Sequence, residues 1–206
     1  EIITASGLRY NRTTSTAYVI RNGEIIVDKN CQTYQAYIEI LRRELIPAMG
    51  CTEPIAIAYG AAKARAALGA LPDQITVAAS GNIIKNVKSV IVPNTDGRKG
   101  IEVAAAIGAL AGDPSAELEV IAHVRPESRA TLGQYLADTQ IQVRAAQSPH
   151  VLDITISVQK GLDTATVQIV NEHTNIVRIT RNDKVLFAKE IIATADTGKP
   201  DYDCMT

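Results

Sequence analysis

Pro47-Ala48-Met49-Gly50-Cys51-Thr52-Glu53-Pro54 cuts a helical pattern in two, and the rest of the chain has to be arranged around that break. Before it, Tyr37, Ile38, Leu41, Leu45 and Ile46 recur at helical spacing. After it, Ile55, Ala58, Ala62, Arg65, Ala66 and Leu68 continue in an alanine-rich run of strong helix propensity. Pro47 disfavours helix at the residue before it, and Gly50 supplies backbone angles closed to other residues. Thr52 is suited to cap the following helix, and Pro54 fits a first turn, where a missing N–H is harmless. The break therefore presents the thiol of Cys51 at a helix N-terminus. The orphan N–H groups and helix dipole there favour a thiolate, so its pKa is expected below the ordinary value. A buried cysteine filling a small gap is the other reading of the same residue.

The remaining composition narrows the partners. A formal net charge of −1 predicts no general attraction to nucleic acid or to an anionic membrane. With no Trp and one Phe, platforms for stacking single strands are not expected. Cys31, Cys51 and Cys204 are odd in number and widely scattered, which fits a reducing cytoplasm better than a disulfide framework. No apolar run approaches the ~20 residues of a membrane span, and no signal peptide pattern opens the chain. The first residue is not Met, so a cut, processed or partial chain is expected.

In chain order, residues 1–31 read as a β-hairpin extension, with Thr16 to Ile20 and Glu24 to Val27 flanking Arg21-Asn22-Gly23. A similar pattern returns at Asn175 to Thr180, Arg181-Asn182-Asp183 and Lys184 to Phe187, so the two hairpins are candidates for neighbours in one sheet. Residues 32–72 form the helical segment around Cys51. Residues 73–190 read as an α/β lobe: a buried strand over Gln74 to Ala79, a second apolar strand over Val87 to Val92, and a small-residue helix over Ile101 to Ala111. A short helix or strand follows over Ser115 to Ala122, then a helix from Pro126 and a strand over Ile141 to Ala145. Asp153 to Lys160 and Thr164 to Val170 alternate apolar and polar residues about Gly161, as a half-exposed antiparallel pair does. Residues 191–206 lack periodicity and read as a loose tail. Helices early and strands late predict an α+β fold with a mostly antiparallel sheet.

Two further stretches carry chemistry. Ser80-Gly81-Asn82-Ile83-Ile84-Lys85-Asn86 follows a strand and offers a hydroxyl, a flexible glycine, two amides and an ammonium. A turn of this kind can hold a small carboxylate or ammonium, and it is equally readable as a plain polar turn. It lacks the glycine spacing and Lys-Ser/Thr pair of a phosphate loop. His173-Thr174-Asn175 lies between two strands, where a lone His is more often structural than catalytic. No His/Cys/Asp spacing makes a closed zinc site. A Cys51/His173 acyl-transfer pair requires the two within hydrogen-bond reach.

Glu44 to Ala56, with the alanine-rich helix behind it, resembles the signature of L-cysteine desulfidases and the related serine-dehydratase-alpha-like proteins. Ser80 to Asn86, Gly100 to Ala109, Gly112-Asp113-Pro114 and His173 to Val177 resemble further blocks of that family in the same order, so the likeness spans about residues 34–190. The resemblance implies a lyase that needs no pyridoxal phosphate. In it a [4Fe–4S] cluster binds a small amino-acid substrate and a base removes the α-proton. L-Cysteine would give pyruvate, ammonia and sulfide, and L-serine pyruvate and ammonia. Cys51 would be that base or a metal ligand to the cluster. Thr52, Glu53, Ser80, Gly81, Asn82, Lys85 and Asn86, with His173 and Asn175, would bind substrate or shape its pocket.

Two departures accompany the likeness. The remaining cluster cysteines of that family lie in a helical C-terminal half with no counterpart here, and Cys204 alone cannot complete a cubane site, which takes about four ligands. The expected partners are therefore the substrate and the missing C-terminal helical half or a partner chain, with no nucleic acid or membrane; a homodimer stays open. The Pro93-Asn94-Thr95-Asp96-Gly97 loop is less glycine-rich than the family's. A non-catalytic small-amino-acid-binding α/β module is the alternative function.

Overall fold

The computed structural model describes residues 2–5, 8–11, 16–21, 24–26, 32–45, 48 and 50–191. The chain forms two compact units, one of residues 1–46 with 194–206 and the other of residues 47–193. The expected tail at 191–206 lies outside the described residues apart from Ile191, as do Cys31 and Cys204.

In the first unit, strands β1 (Ile2–Ala5), β2 (Leu8–Asn11), β3 (Thr16–Arg21) and β4 (Glu24–Ile26) form an antiparallel meander in sequence order. Arg21 pairs with Glu24, the register a two-residue Asn-Gly connection sets. Helix α1 covers Gln32–Glu44.

The second unit is an α+β fold. Helix α2 (Thr52–Leu68) leads to β5 (Gln74–Ala79), α3 (Gly81–Val87) and α4 (Ile101–Ala111). A 3-10 turn at Glu117–Glu119 precedes α5 (Pro126–Asp138) and β6 (Gln140–Ala145). Strands β7 (Asp153–Lys160), β8 (Asp163–Val170), β9 (Ile176–Arg181) and β10 (Lys184–Ala188) follow. The six strands run β10-β9-β8-β7-β5-β6, antiparallel throughout except for the parallel pair β5–β6. The late hairpin β9–β10 thus belongs to this sheet and the early hairpin to the other, so the two are not sheet neighbours.

The core lies on one face of this sheet. Ile154, Ile156 and Val158 of β7 and Ala165, Val167 and Ile169 of β8 are buried there, while Thr155, Ser157 and Gln159 alternate to the other face. Helix α2 packs on β7, β8 and β9, and α4 lies against α2. Because α2 is covered from several sides, its apolar residues are not confined to one stripe: Ile55 through Ala62 are all buried. Its small residues are what permit this. A Cβ on Gly60 would come within 2.9 Å of the Ile156 side chain, so the helix backbone rests almost directly on the sheet.

Two expectations fail between Ser80 and Val92. The polar stretch from Gly81 is helical, and Val87 ends that helix instead of opening a strand; beyond it only a single bridge, Ile91 to Lys99, has strand character. Ile83 and Val87, one helical turn apart, are both buried, and that burial outweighs the β propensity of the Ile/Val run. Thr52 is the first residue of α2 and not its cap. Cys51 holds the cap position with extended backbone (φ −60, ψ 123) and makes no side-chain capping bond.

One contact makes the fold alkali-sensitive. Tyr135 of α5 donates its hydroxyl to the Pro72 carbonyl at 2.8 Å, and burial pushes its pKa up to about 12. The raised value means the folded chain holds this proton more tightly than the unfolded chain does. The stabilisation is therefore complete below the ordinary tyrosine pKa of about 10 and is lost as pH climbs towards 12. Denaturant midpoints measured across that window should fall steeply for the wild type and less steeply for Tyr135→Phe.

Candidate functional site

The site forms at the end of the second unit's sheet where β5 and β8 finish, β7 begins and α2 starts. Four stretches remote in sequence meet there for separate local reasons. Pro54 in the first turn starts α2 immediately after Cys51. The extended backbone of Ser80 turns β5 into α3 and swings Asn86 towards α2. The β8–β9 connection, turned by Asn171 at φ 68, carries His173. Pro93 lies against the break itself, its ring 3.9 Å from where a Cβ on Gly50 would stand.

The side chains form two linked groups. The exposed Cys51 thiol donates to Glu53 Oε2 at 2.9 Å, and the Asn86 amide donates to Glu53 Oε1 at 3.2 Å. Thr52 Oγ1 and His173 Nε2 share a hydrogen bond of 3.2 Å. Both oxygens of Glu53 are thus engaged, so its orientation is fixed from α2 on one side and α3 on the other.

The protons follow from this arrangement. Partial burial, then the hydrogen bond and charge of Glu53, push the Cys51 thiol above its ordinary value. This reverses the lowering expected from the helix terminus. The dipole and orphan N–H groups are present, but a carboxylate two residues on already occupies that positive end and accepts the thiol proton. The thiol and amide donors together hold Glu53 below the usual carboxylate range, the Cys51 bond contributing most. At rest the negative charge sits on oxygen and the proton on sulfur. Burial lowers His173, against a smaller opposing pull from Glu53, and so favours the neutral ring.

The other predicted residues are placed differently. Ser80 is buried; its hydroxyl donates to the Val151 carbonyl at 2.7 Å and accepts from the Asp153 N–H at 3.4 Å, tying β5 to the segment before β7. Gly81, Asn82 and Lys85 lie exposed on α3, with open space around the Gly81 Cα. Asn175 donates to the Val170 carbonyl at 2.8 Å and accepts from Lys189 at 2.9 Å, so it fastens the β8–β9 turn. His173 is bonded to Thr52, while the thiol's partner is Glu53; the acyl-transfer pairing of Cys51 with His173 is not formed. The position of Pro93 carries no local sequence signal. It depends on Asn94, in the left-handed region at φ 58, donating its amide to the Ile121 and Ala122 carbonyls.

Among the described residues, no three His, Cys, Asp or Glu side chains group as metal ligands. A [4Fe–4S] cluster takes about four ligands, and Cys51, the one cysteine among the described residues, does not by itself fit one. No described helix is long and apolar enough to cross a membrane.

No family model and no solved structure matches the chain. It is 48% identical over 163 residues to a UPF0597 protein of Desulfitobacterium hafniense, covering 79% of this chain and 38% of that protein. A UPF0597 protein of Treponema denticola is 46% identical over 173 residues, 84% of this chain and 40% of that protein. One of Finegoldia magna is 48% identical over 168 residues, 81% and 39% of the respective chains. The chain spans about two fifths of the length of these relatives. Across about four fifths of its own length, then, its close homologues are UPF0597 proteins.

Proposed function

We propose that this chain carries the Cys51 side of a lyase that removes the α-proton and the β-substituent of L-cysteine or L-serine, with the rest of a longer protein completing the site. The observation that supports it is the Cys51–Glu53–Asn86 chain of hydrogen bonds at the mouth of α2. A positive charge arriving beside the thiol lowers its pKa, and the proton, already pointed at an oriented carboxylate, can leave by way of that carboxylate to solvent. The α-ammonium of an amino acid is such a charge, and an adjacent cation favours the thiolate. The sulfur then takes the proton from Cα, and HS⁻ or HO⁻ leaves from Cβ. Neutral His173, steadied by Thr52, stands beside this pair as a second proton carrier. The iron–sulfur cluster that the family resemblance implies enters none of these steps.

A non-catalytic small-amino-acid-binding module is the second reading, and a thiol that keeps its proton beside the Glu53 carboxylate at rest is what favours it. Calorimetry and product assays separate the two. The lyase reading expects pyruvate from L-cysteine or L-serine in the full-length protein under anaerobic conditions. Binding of either amino acid that survives Cys51→Ala, with no pyruvate from any form of the protein, would leave the module.

A further inference from the structure

The six-stranded sheet has two unlike edges. On β6 the exposed positions are Gln140, Gln142, Arg144 and Ala145, while Ile141 and Val143 turn inward against the core. That is an ordinary solvated edge. On β10 all five residues are exposed, and three consecutive large apolar side chains, Val185 at 45%, Leu186 at 53% and Phe187 at 44%, lie open on both faces. Its inner side is bonded to β9, and no described strand pairs with its outer side. A bulge between Val185 and Phe187 shifts the register, so alternation does not hide either residue. Native edges are blunted by charge, by Pro or by cover, and the flanking Lys184 and Lys189 leave the apolar centre unguarded.

We infer that β10 is a docking edge, to which the part of the longer protein outside the stretch shared with the UPF0597 relatives adds a strand with apolar side chains. Two observations choose that occupant. The larger part of each relative lies outside the matched stretch and has to pack on something. The edge offers it main-chain groups for a ladder together with apolar contacts on both faces, the requirements of strand addition. The inference rests on the reading that the rest of a longer protein completes the site.

Hydrogen–deuterium exchange with mass spectrometry tests it without reading catalysis. The comparison is between the 206-residue chain, at Lys184–Ala188, and the full-length Desulfitobacterium hafniense relative, at the corresponding edge strand of its sheet. The expected result is exchange at least about ten-fold slower in the full-length protein, abolished there by the substitution equivalent to Leu186→Lys. Leu186→Lys in the 206-residue chain should leave its Tm unchanged, since that side chain is exposed. Equal exchange in the two wild-type proteins overturns the inference, and needs no variant to fold. A dimer of the 206-residue chain that Leu186→Lys dissociates also overturns it, assigning the edge to a second copy. A slowed edge in a protein that makes no pyruvate would instead count against the lyase reading alone.

Discussion

Replacing Gly108 by alanine should lower the stability of the second unit by about 3 kcal/mol, the upper end of ordinary overpacking. In a chain of this size that is roughly 6–12 °C in Tm. The reason is the crossing of α2 and α4. A Cβ on Gly108 would overlap the Ala58 carbonyl oxygen and come within 2.6 Å of the Ala58 Cα, and both are backbone atoms of a buried helix that cannot swing aside. The two helices would have to separate, and with them the contacts of Ala104 and Ile107, both fully buried. Gly81→Ala is the control, because nothing stands within 4 Å of a Cβ there. Thermal melts of the two variants should differ by nearly the whole effect. Equal melts would mean that the α2–α4 crossing has room to relax.

That crossing was legible in outline from the sequence. Ala104, Ala105, Ala106 and Gly108 predict a helix made for close approach, and α4 uses them so. The β7–β8 pair was legible for a similar reason, since strict alternation on both sides of Gly161 admits one register on a half-buried sheet. The segment from Val87 to Val92 reads as strand because four of its six residues are Ile or Val, which locally signal strand. The decisive fact, that Ile83 and Val87 share one helical face over the core, is tertiary. The parallel pairing of β6 with β5, two strands separated by three helices, has no local signature either.

At the site, the position of Cys51 could be read from the helix break, whereas the state of its proton could not. The dipole argument treats the helix end as an empty positive terminus. Glu53 fills that terminus, and its use of both oxygens depends on Asn86, thirty-three residues on in a helix the sequence did not announce. Asn86 and His173 come to the α2 terminus because β5 and β8 finish at the same end of the sheet's strands. Ser80 and Asn175 lie at that end of the sheet too, but spend their polar groups on the backbone around them.

Cys51→Ser in the full-length protein should therefore abolish lyase turnover while leaving the fold intact. The loss expected from removing a positioned base is about 10²–10⁴-fold. The serine hydroxyl can still donate to Glu53, so the local hydrogen bond survives, and the side chain is exposed, so no packing is lost. What disappears is an acid weak enough to keep its proton beside Glu53 at rest yet strong enough to lose it, by way of Glu53, once an ammonium stands beside the sulfur; a hydroxyl does not ionise in that range. Glu53→Gln tests the same logic from the other side, by removing the acceptor while keeping a group that can bond Asn86. Both variants should melt near the wild-type temperature and bind L-cysteine by calorimetry, with pyruvate formation lost. A Cys51→Ser protein that unfolds early would assign the sulfur to packing. One that releases pyruvate at the wild-type rate would remove Cys51 from the reaction altogether.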